Sequence, residues 1–168
     1  MRIEVIVVLA LLLIGCIHEI YLKKYYQVRK VFKTLHHFLD VRDSLVVKLL
    51  PEVKGKKVAQ DIIEGIDERK MNFSSSQNNA ILSDIKLNTR LKKLYEEINH
   101  ISKNEIINQL FANILSIEKD LKRIRKEYNL AVEEYNQSLV KHKVILLKVM
   151  KMKPLDTYQT TTQAIRKE

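Results

Sequence analysis

Glycine and proline, the residues that punctuate a chain, are almost missing here, with three and two in 168 positions, and there is no tryptophan and one cysteine. So few turn formers exclude a fold of many short strands and leave long helices as the simplest reading. The lone Cys16 excludes an internal disulfide, and its place inside an apolar run makes it silent about the redox state around the domain. Chemistry-bearing patterns are scarce as well. There is no Gly-rich phosphate loop, no nucleophile motif and no Glu-x-x-His pair for a di-metal bundle. His36 and His37 are adjacent, so on a helix they point about 100° apart and cannot ligate one ion, and His18, His100 and His142 lack ligand-spaced partners. The expectation is a non-enzyme with no catalytic, cofactor-binding or metal residues, no cofactor and no small-molecule substrate.

Charge is present in excess, at a formal +10. A basic chain of this size invites anionic lipid or nucleic acid as partner, and the position of the charge decides between them. Lys23, Lys24, Arg29, Lys30 and Lys33 follow an apolar run directly, and Lys141, Lys143, Lys148, Lys151 and Lys153 crowd the other end of the chain. Both clusters fit a lipid surface, with Lys23, Lys24, Arg29, Lys30, Lys141 and Lys143 facing it. A basic nucleic-acid-binding helical protein is the alternative, but it lacks a recognition motif and aromatic stacking surface, so nucleic acid is not the expected partner.

Val5 to Ile17 is a 13-residue uncharged apolar stretch. At about 20 Å it is short for the ~30 Å hydrocarbon slab, and extension through Ile20, Tyr21 and Leu22 lets it span. It also suits the h-region of a signal peptide, and Leu13-Ile14-Gly15-Cys16 matches a lipobox, which makes Cys16 a lipidation candidate. The basic residues after the run put the following domain in the cytoplasm by the positive-inside rule, with the N-terminus outside and a single pass through the cell membrane. The lipobox gives the opposite topology, a lipoprotein with an exported domain.

The remainder reads as helices. Asn104 to Met152 carries an unbroken 4-3 alternation through Leu110, Ile114, Ile117, Leu121, Ile124, Tyr128, Ala131, Tyr135, Ser138, His142, Ile145, Val149 and Met152, which predicts one very long C-terminal helix. Ser102 and Glu105 form a capping box at its start, and Ile101 with Ile106 a hydrophobic staple. Tyr25 to Leu50 repeats the spacing, but Arg42 occupies a seam position, where it either snorkels out to solvent or is held by a carboxylate, for which Glu118, bordering the seam of the long helix, is the best candidate. Pro51 and Gly55 should stop this helix. Lys56 to Lys70 and Asn78 to Ile101 are further helices, with Asn72 to Gln77 a loop between them. Residues 154–168 are polar and without a stripe, hence a frayed tail. The expected architecture is all-α, with a membrane anchor at 1–22, an antiparallel bundle of about four helices at 23–153 and a polar tail at 154–168.

Tyr128-Asn129 recurs as Tyr135-Asn136 seven residues later, placing both tyrosines on the seam, with their hydroxyls toward a neighbouring helix, and both asparagines beside it, where they can tie that helix in place by hydrogen bonds. The stretch Ala112 to Asn136 resembles the signature of LemA proteins, matching it at Glu118, Arg125, Tyr128, Asn129, Ala131, Val132, Tyr135 and Asn136. Val41 to Gly55 is similar to the family's other block at Arg42, Leu45, Leu49, Val53, Lys54 and Gly55. The family's Pro-Asn falls on Val47-Lys48 here, and Pro51 comes four residues later. The resemblance implies a membrane-anchored antiparallel helical bundle with a short N-terminus outside and no catalytic residues, and the expected role is a scaffold or adaptor at a bacterial envelope with membrane or envelope proteins as partners.

Overall fold

The computed structural model of the chain describes residues 2–52, 56–99, 105–143 and 152–159. Four α-helices carry it: α1 (Arg2–Leu49), α2 (Lys56–Ser75), α3 (Gln77–Asn99) and α4 (Glu105–Lys141), with a 3₁₀ turn at Leu50–Glu52. No strand occurs among the described residues.

Among the described residues the longest helix is α1, with 48 residues, and not the C-terminal one, which has 37; Ile145 and Val149 of the expected long helix lie outside the described residues. The apolar run and the Tyr25 helix, expected as separate elements, are one continuous helix, because nothing between Ile17 and Tyr25 breaks it. Pro51, which has no N–H to donate, stands in the 3₁₀ turn that ends α1. Met152, expected as the last seam residue of the long helix, is non-helical, and its side chain packs back against the bundle. The loop expected at Asn72 to Gln77 shrinks to Ser76. Its hydroxyl accepts from the Asn79 amide at 3.1 Å, capping α3, while its own amide donates to the Asn72 carbonyl at 3.3 Å. The capping box at Ser102 and the Ile101 half of the staple lie outside the described residues.

Helices α1 and α4 pack in opposite chain order, with Tyr21 against Tyr135, Phe32 against Tyr128 and Arg42 near Glu118. Helices α2 and α3 fold back on one another, and Gly65 permits their close approach: a Cβ there would sit 2.7 Å from Arg90 Nη1 and 3.1 Å from Leu87 Cδ1. The core divides in two. One apolar cluster gathers Val28, Leu35, Leu39, Leu121, Ile124, Tyr128 and Tyr135, and the other gathers Val46, Leu49, Ile62, Ile66, Leu87, Leu91, Leu94 and Ile114. Those in α1 and α4 fall on the 4-3 alternation of the sequence.

The start of α1 is different. From Ile3 to Leu13 its large apolar side chains are 51–78% exposed, without the buried position every third or fourth residue that a core helix shows. It is one helix long and apolar enough to cross a membrane, of the kind that serves as an anchor or as a signal sequence.

Replacing Ser76 by Ala removes the α3 cap, and an expected loss of about 1 kcal/mol can be read from urea unfolding followed by far-UV circular dichroism.

Candidate functional site

Between the two apolar clusters lies a layer of charge. Arg42, Asp43, Arg69 and Asp84 are at most 1% exposed. An ionised side chain without a partner at such a depth costs several kcal/mol, so each must be matched by neighbours. Arg42 donates through Nε and Nη2 to Asp43 Oδ1, at 3.0 and 2.9 Å, and through Nη1 to Asn88 Oδ1 at 2.7 Å. Its Nη2 is also 3.2 Å from Asp84 Oδ1. Arg69 brings α2 into the layer, donating from Nε to Asp43 Oδ2 at 2.7 Å, from Nη2 to Asp40 Oδ1 at 2.6 Å and from Nη1 to His36 Nδ1 at 3.2 Å. Arg125 closes it from α4, donating from Nη2 to Asp84 Oδ2 at 3.0 Å. Thus all four helices contribute.

Glu118 lies 3.6 Å from Arg42 Nη1 and 3.8 Å from Arg125 Nη1, and it is partly exposed. It accepts from the Tyr95 hydroxyl at 3.5 Å. The structure therefore brings Arg42 and Glu118 together, but Asp43, Asp84 and Asn88 are the nearer partners. Two buried atoms, Asp84 Oδ1 and Arg125 Nε, have no hydrogen-bond partner among the described residues. Asp84 Oδ1 is held by charge alone, since Arg42 approaches it off the hydrogen-bonding direction.

The protonation states follow from the same contacts. Burial alone would raise the Asp84 carboxyl, but the guanidinium groups of Arg125 and Arg42 outweigh it and hold it below the ordinary carboxylate value. Burial lowers His36, and Arg69 adds to this against the opposing pull of Asp40 and Asp43. A neutral His36 accepts at Nδ1 from Arg69 and stacks on Phe73, with ring centroids 3.4 Å apart.

The Tyr-Asn repeat has a second element to hold. Residues 152–157, neither helix nor strand, run beside α4. Asn136 donates to the Leu155 carbonyl at 2.8 Å and accepts from the Leu155 amide at 3.0 Å. Seven residues earlier, Asn129 accepts from the Tyr158 amide at 2.9 Å. The hydroxyls of Tyr135 and Tyr128 donate to the carbonyls of Lys153 and Asp156, at 3.0 and 3.2 Å. Tyr135 is in turn hydrogen-bonded to Tyr21 of α1. The spacing has a geometric reason: seven residues of α-helix advance about 10.5 Å and three residues of extended chain about 10 Å, so each Tyr-Asn pair meets the same backbone groups one step along.

The strap ends in a plug. Tyr158 is 8% exposed, stands edge-on to Tyr128 and donates to Asp84 Oδ2 at 3.1 Å, with the Arg125 guanidinium 5.5 Å from its ring centre. Burial, reinforced by the Asp84 charge, raises the phenol well above its ordinary value. The segment expected to be a frayed tail is thus bound as far as Tyr158, because its backbone polar groups are met by side chains, while residues 160–168 of that expected tail lie outside the described residues.

At the apolar end of the bundle, Lys23, Arg29, Lys30, Lys141 and Lys143 are exposed and Lys24 is half-buried. Lys23 pairs with Glu19 at 3.2 Å, Lys24 with Glu134 at 3.9 Å, and Arg29 lies 6.0 Å from the Tyr25 ring centre. Cys16 is exposed. No group of three or more His, Cys, Asp or Glu able to hold a metal ion occurs among the described residues. An open groove of about 750 Å³ runs beside the layer, lined by Asn88, Lys92, Tyr95, Leu115, Glu118 and Arg125.

These features define an all-α protein with an apolar N-terminal helix, a charged interior and a backbone-clamped C-terminal strap. The chain belongs to the LemA family, whose family model matches residues 31–168 and so takes in both the charged layer and the strap. That family is not one of known enzymes. No curated protein and no solved structure matches the chain.

Three outcomes follow. In double-mutant cycles, Arg42→Met with Asp84→Asn should couple by about 2–3 kcal/mol, whereas Arg42→Met with Glu118→Gln should couple by under about 1 kcal/mol, because Glu118 is screened by solvent. His36 has a lowered folded pKa, so its contribution to stability is complete above the unfolded value of about 6.5 and is lost as pH falls through the lower folded value. Thermal melts of His36→Gln should lack that loss, while Asp84 governs a separate one below about pH 3.9. Asn136→Asp places a carboxylate against the Leu155 carbonyl, at a cost of about 1–3 kcal/mol. Tetranitromethane should then nitrate Tyr158, which it spares in the parent chain.

Proposed function

We propose that this chain is a membrane-tethered, non-enzymatic scaffold or adaptor of the LemA type, built as an antiparallel helical bundle on a single N-terminal anchor. The observation that carries this reading is the exposed apolar surface from Ile3 to Leu13, continuous in one helix with a domain whose charged interior is matched within itself. Such an apolar length has no counterpart in water and a natural one in hydrocarbon. The exposed large apolar residues of α1 extend to Ile20, and 18 residues of helix reach about 27 Å, close to the ~30 Å slab.

The arrangement of basic residues supports the rest. Contacts of α4 with α1 bring Lys141 and Lys143 back toward the end where Lys23, Arg29 and Lys30 stand. Each Lys or Arg near an anionic leaflet contributes roughly 1 kcal/mol, so the cluster adds lipid affinity to the anchor. The same residues favour a cytoplasmic domain with the N-terminus outside. In this reading Cys16 stays unmodified within the anchor, and membrane or envelope proteins are the partners that the bundle holds.

Fractionation tests the tether: the full chain should stay with membranes in high salt and alkaline carbonate and be released by detergent. Release by salt alone would contradict it. Mass spectrometry of the extracted chain reads the topology, since an intact N-terminus fits the anchor and a chain beginning at an acylated Cys16 fits an exported lipoprotein.

A further inference from the structure

The last turns of α4 stand level with the last turn of the apolar stretch of α1. The two helices run in opposite chain order, and Lys24 meets Glu134 while Tyr21 meets Tyr135. Both rise about 1.5 Å per residue, so Val140, six residues beyond Glu134, is level with His18, six before Lys24. That level falls within the stretch of exposed apolar side chains, which extends to Ile20. In the tethered reading the bundle therefore does not stand clear of the bilayer on a stalk. Val140, 72% exposed, lies at the edge of the hydrocarbon, and the turns before it rise through the headgroup layer, roughly 5–7 Å thick on each side of the slab.

A groove of about 610 Å³ opens at this level between α4 and the strap. Val140 and the half-buried Leu155 give it an apolar wall, and Glu133, Gln137 and Lys141 line it at intervals of four residues along one face of α4. All three are exposed, and none has an ion-pair or hydrogen-bond partner among the described residues. Their neighbour Glu134, by contrast, is matched by Lys24. The groove thus has a free cation at one end, a free carboxylate at the other and an apolar surface beside the cation. Lys141 is the end nearer the hydrocarbon. Side chains on a helix tilt toward its N-terminus, so the Lys141 stem leads away from the hydrocarbon toward the lipid phosphates, and Glu133 stands farther out.

A zwitterionic phospholipid with a primary amine presents the complementary charges in the same order, phosphate inside and ammonium outside. The lengths agree as well. Eight helical steps between Glu133 and Lys141 span about 12 Å, and two charge-assisted contacts of about 2.8 Å leave about 6 Å for a phosphate and its two-carbon amine arm. A purely anionic headgroup would leave Glu133 unpaired, and a choline headgroup has no N–H to donate to Glu133 or to the Gln137 amide oxygen. We propose that the groove between α4 and the strap binds one phospholipid of the primary-amine class, with its phosphate on Lys141, its ammonium on Glu133 and Gln137, and the start of an acyl chain on Val140 and Leu155. The site rests on the tethered reading for its bilayer and goes beyond it, since attraction of a basic cluster to an anionic leaflet selects charge and not headgroup.

The chain has no tryptophan, so a single one introduced by substitution is a clean probe. Full-length Val140→Trp, which keeps that wall apolar, would be placed in nanodiscs of equal parts phosphatidylcholine, phosphatidylethanolamine and phosphatidylglycerol. One of the three lipids at a time would carry brominated acyl chains, which quench tryptophan on contact. Full-length Leu9→Trp, with its probe inside the apolar stretch, reads the tether in the same nanodiscs and should be quenched alike by all three. Quenching of Val140→Trp by brominated phosphatidylethanolamine should be at least twofold that by either other lipid, and Lys141→Gln or Glu133→Gln, both at exposed positions, should remove the excess. Quenching of Val140→Trp that is absent, equal for all three lipids or greatest for another of them, with Leu9→Trp quenched, would overturn the site and leave the tether standing. An excess that survives both substitutions would equally overturn the site. Selective quenching of Val140→Trp with Leu9→Trp unquenched would contradict the tether and leave the groove standing, and loss of both signals would overturn both.

Discussion

Asp84 has no exposed surface and remains ionised, and the bundle is arranged so that this can be true. Its two oxygens face Arg125 of α4 and Arg42 of α1, while Arg42 shares Asp43 with Arg69 of α2. Four helices are therefore tied at one level by charges that tolerate no sliding. Shifting one helix by a single turn, about 5.4 Å, would move its charge into an apolar cluster and leave the others unmatched. Apolar seams alone are more permissive, since Leu and Ile side chains of one heptad resemble those of the next. The layer supplies register, and the clusters on either side supply most of the burial.

The strap is joined to this layer and not merely laid over it. Tyr158 donates to the same Asp84 oxygen that Arg125 donates to, so a bound strap adds a hydrogen bond to the group on which the layer turns. At the strap's other end, the Tyr135 hydroxyl links the Lys153 carbonyl to Tyr21 of α1, close to where the apolar helix leaves the bundle. One short segment thus connects the buried charge to the end of the bundle from which the apolar helix leaves. Membership of the LemA family accords with this division, since the matched residues begin within α1, after the apolar run, and include the strap.

Much of this was legible in residue spacing. Val28, Leu35, Leu39, Val46 and Leu49 in α1, and Ile114, Leu121, Ile124, Tyr128, Ala131 and Tyr135 in α4, are buried where a 4-3 repeat puts them. Arg42 announced itself by interrupting a seam. Arg69 and Asp84 carry the same signal, falling three residues after Ile66 and three before Leu87 on the apolar faces of α2 and α3. Asp43 escaped because adjacent residues on a helix diverge, and only the arrangement of all four helices lets both it and Arg42 point inward. The strap was illegible for another reason. Its cohesion comes from backbone groups, which every sequence has, and the signal for it sat in Asn129 and Asn136, whose partners no periodicity of the tail reveals. The merging of the apolar run with the Tyr25 helix follows from the lack of any helix breaker between them, a point that assigning the run to a separate device obscured.

The account makes the charged layer, and not the apolar clusters alone, the most persistent part of the bundle, with the strap as its dependent. Native-state amide hydrogen exchange of the full chain in detergent tests this directly. The slowest-exchanging amides should lie on α1, α3 and α4 around Asp43, Asp84 and Arg125, with the strap amides of Leu155 and Tyr158 protected above those of an unbound segment. Rapid exchange around Asp43, Asp84 and Arg125, with protection confined to the two apolar clusters, would contradict it.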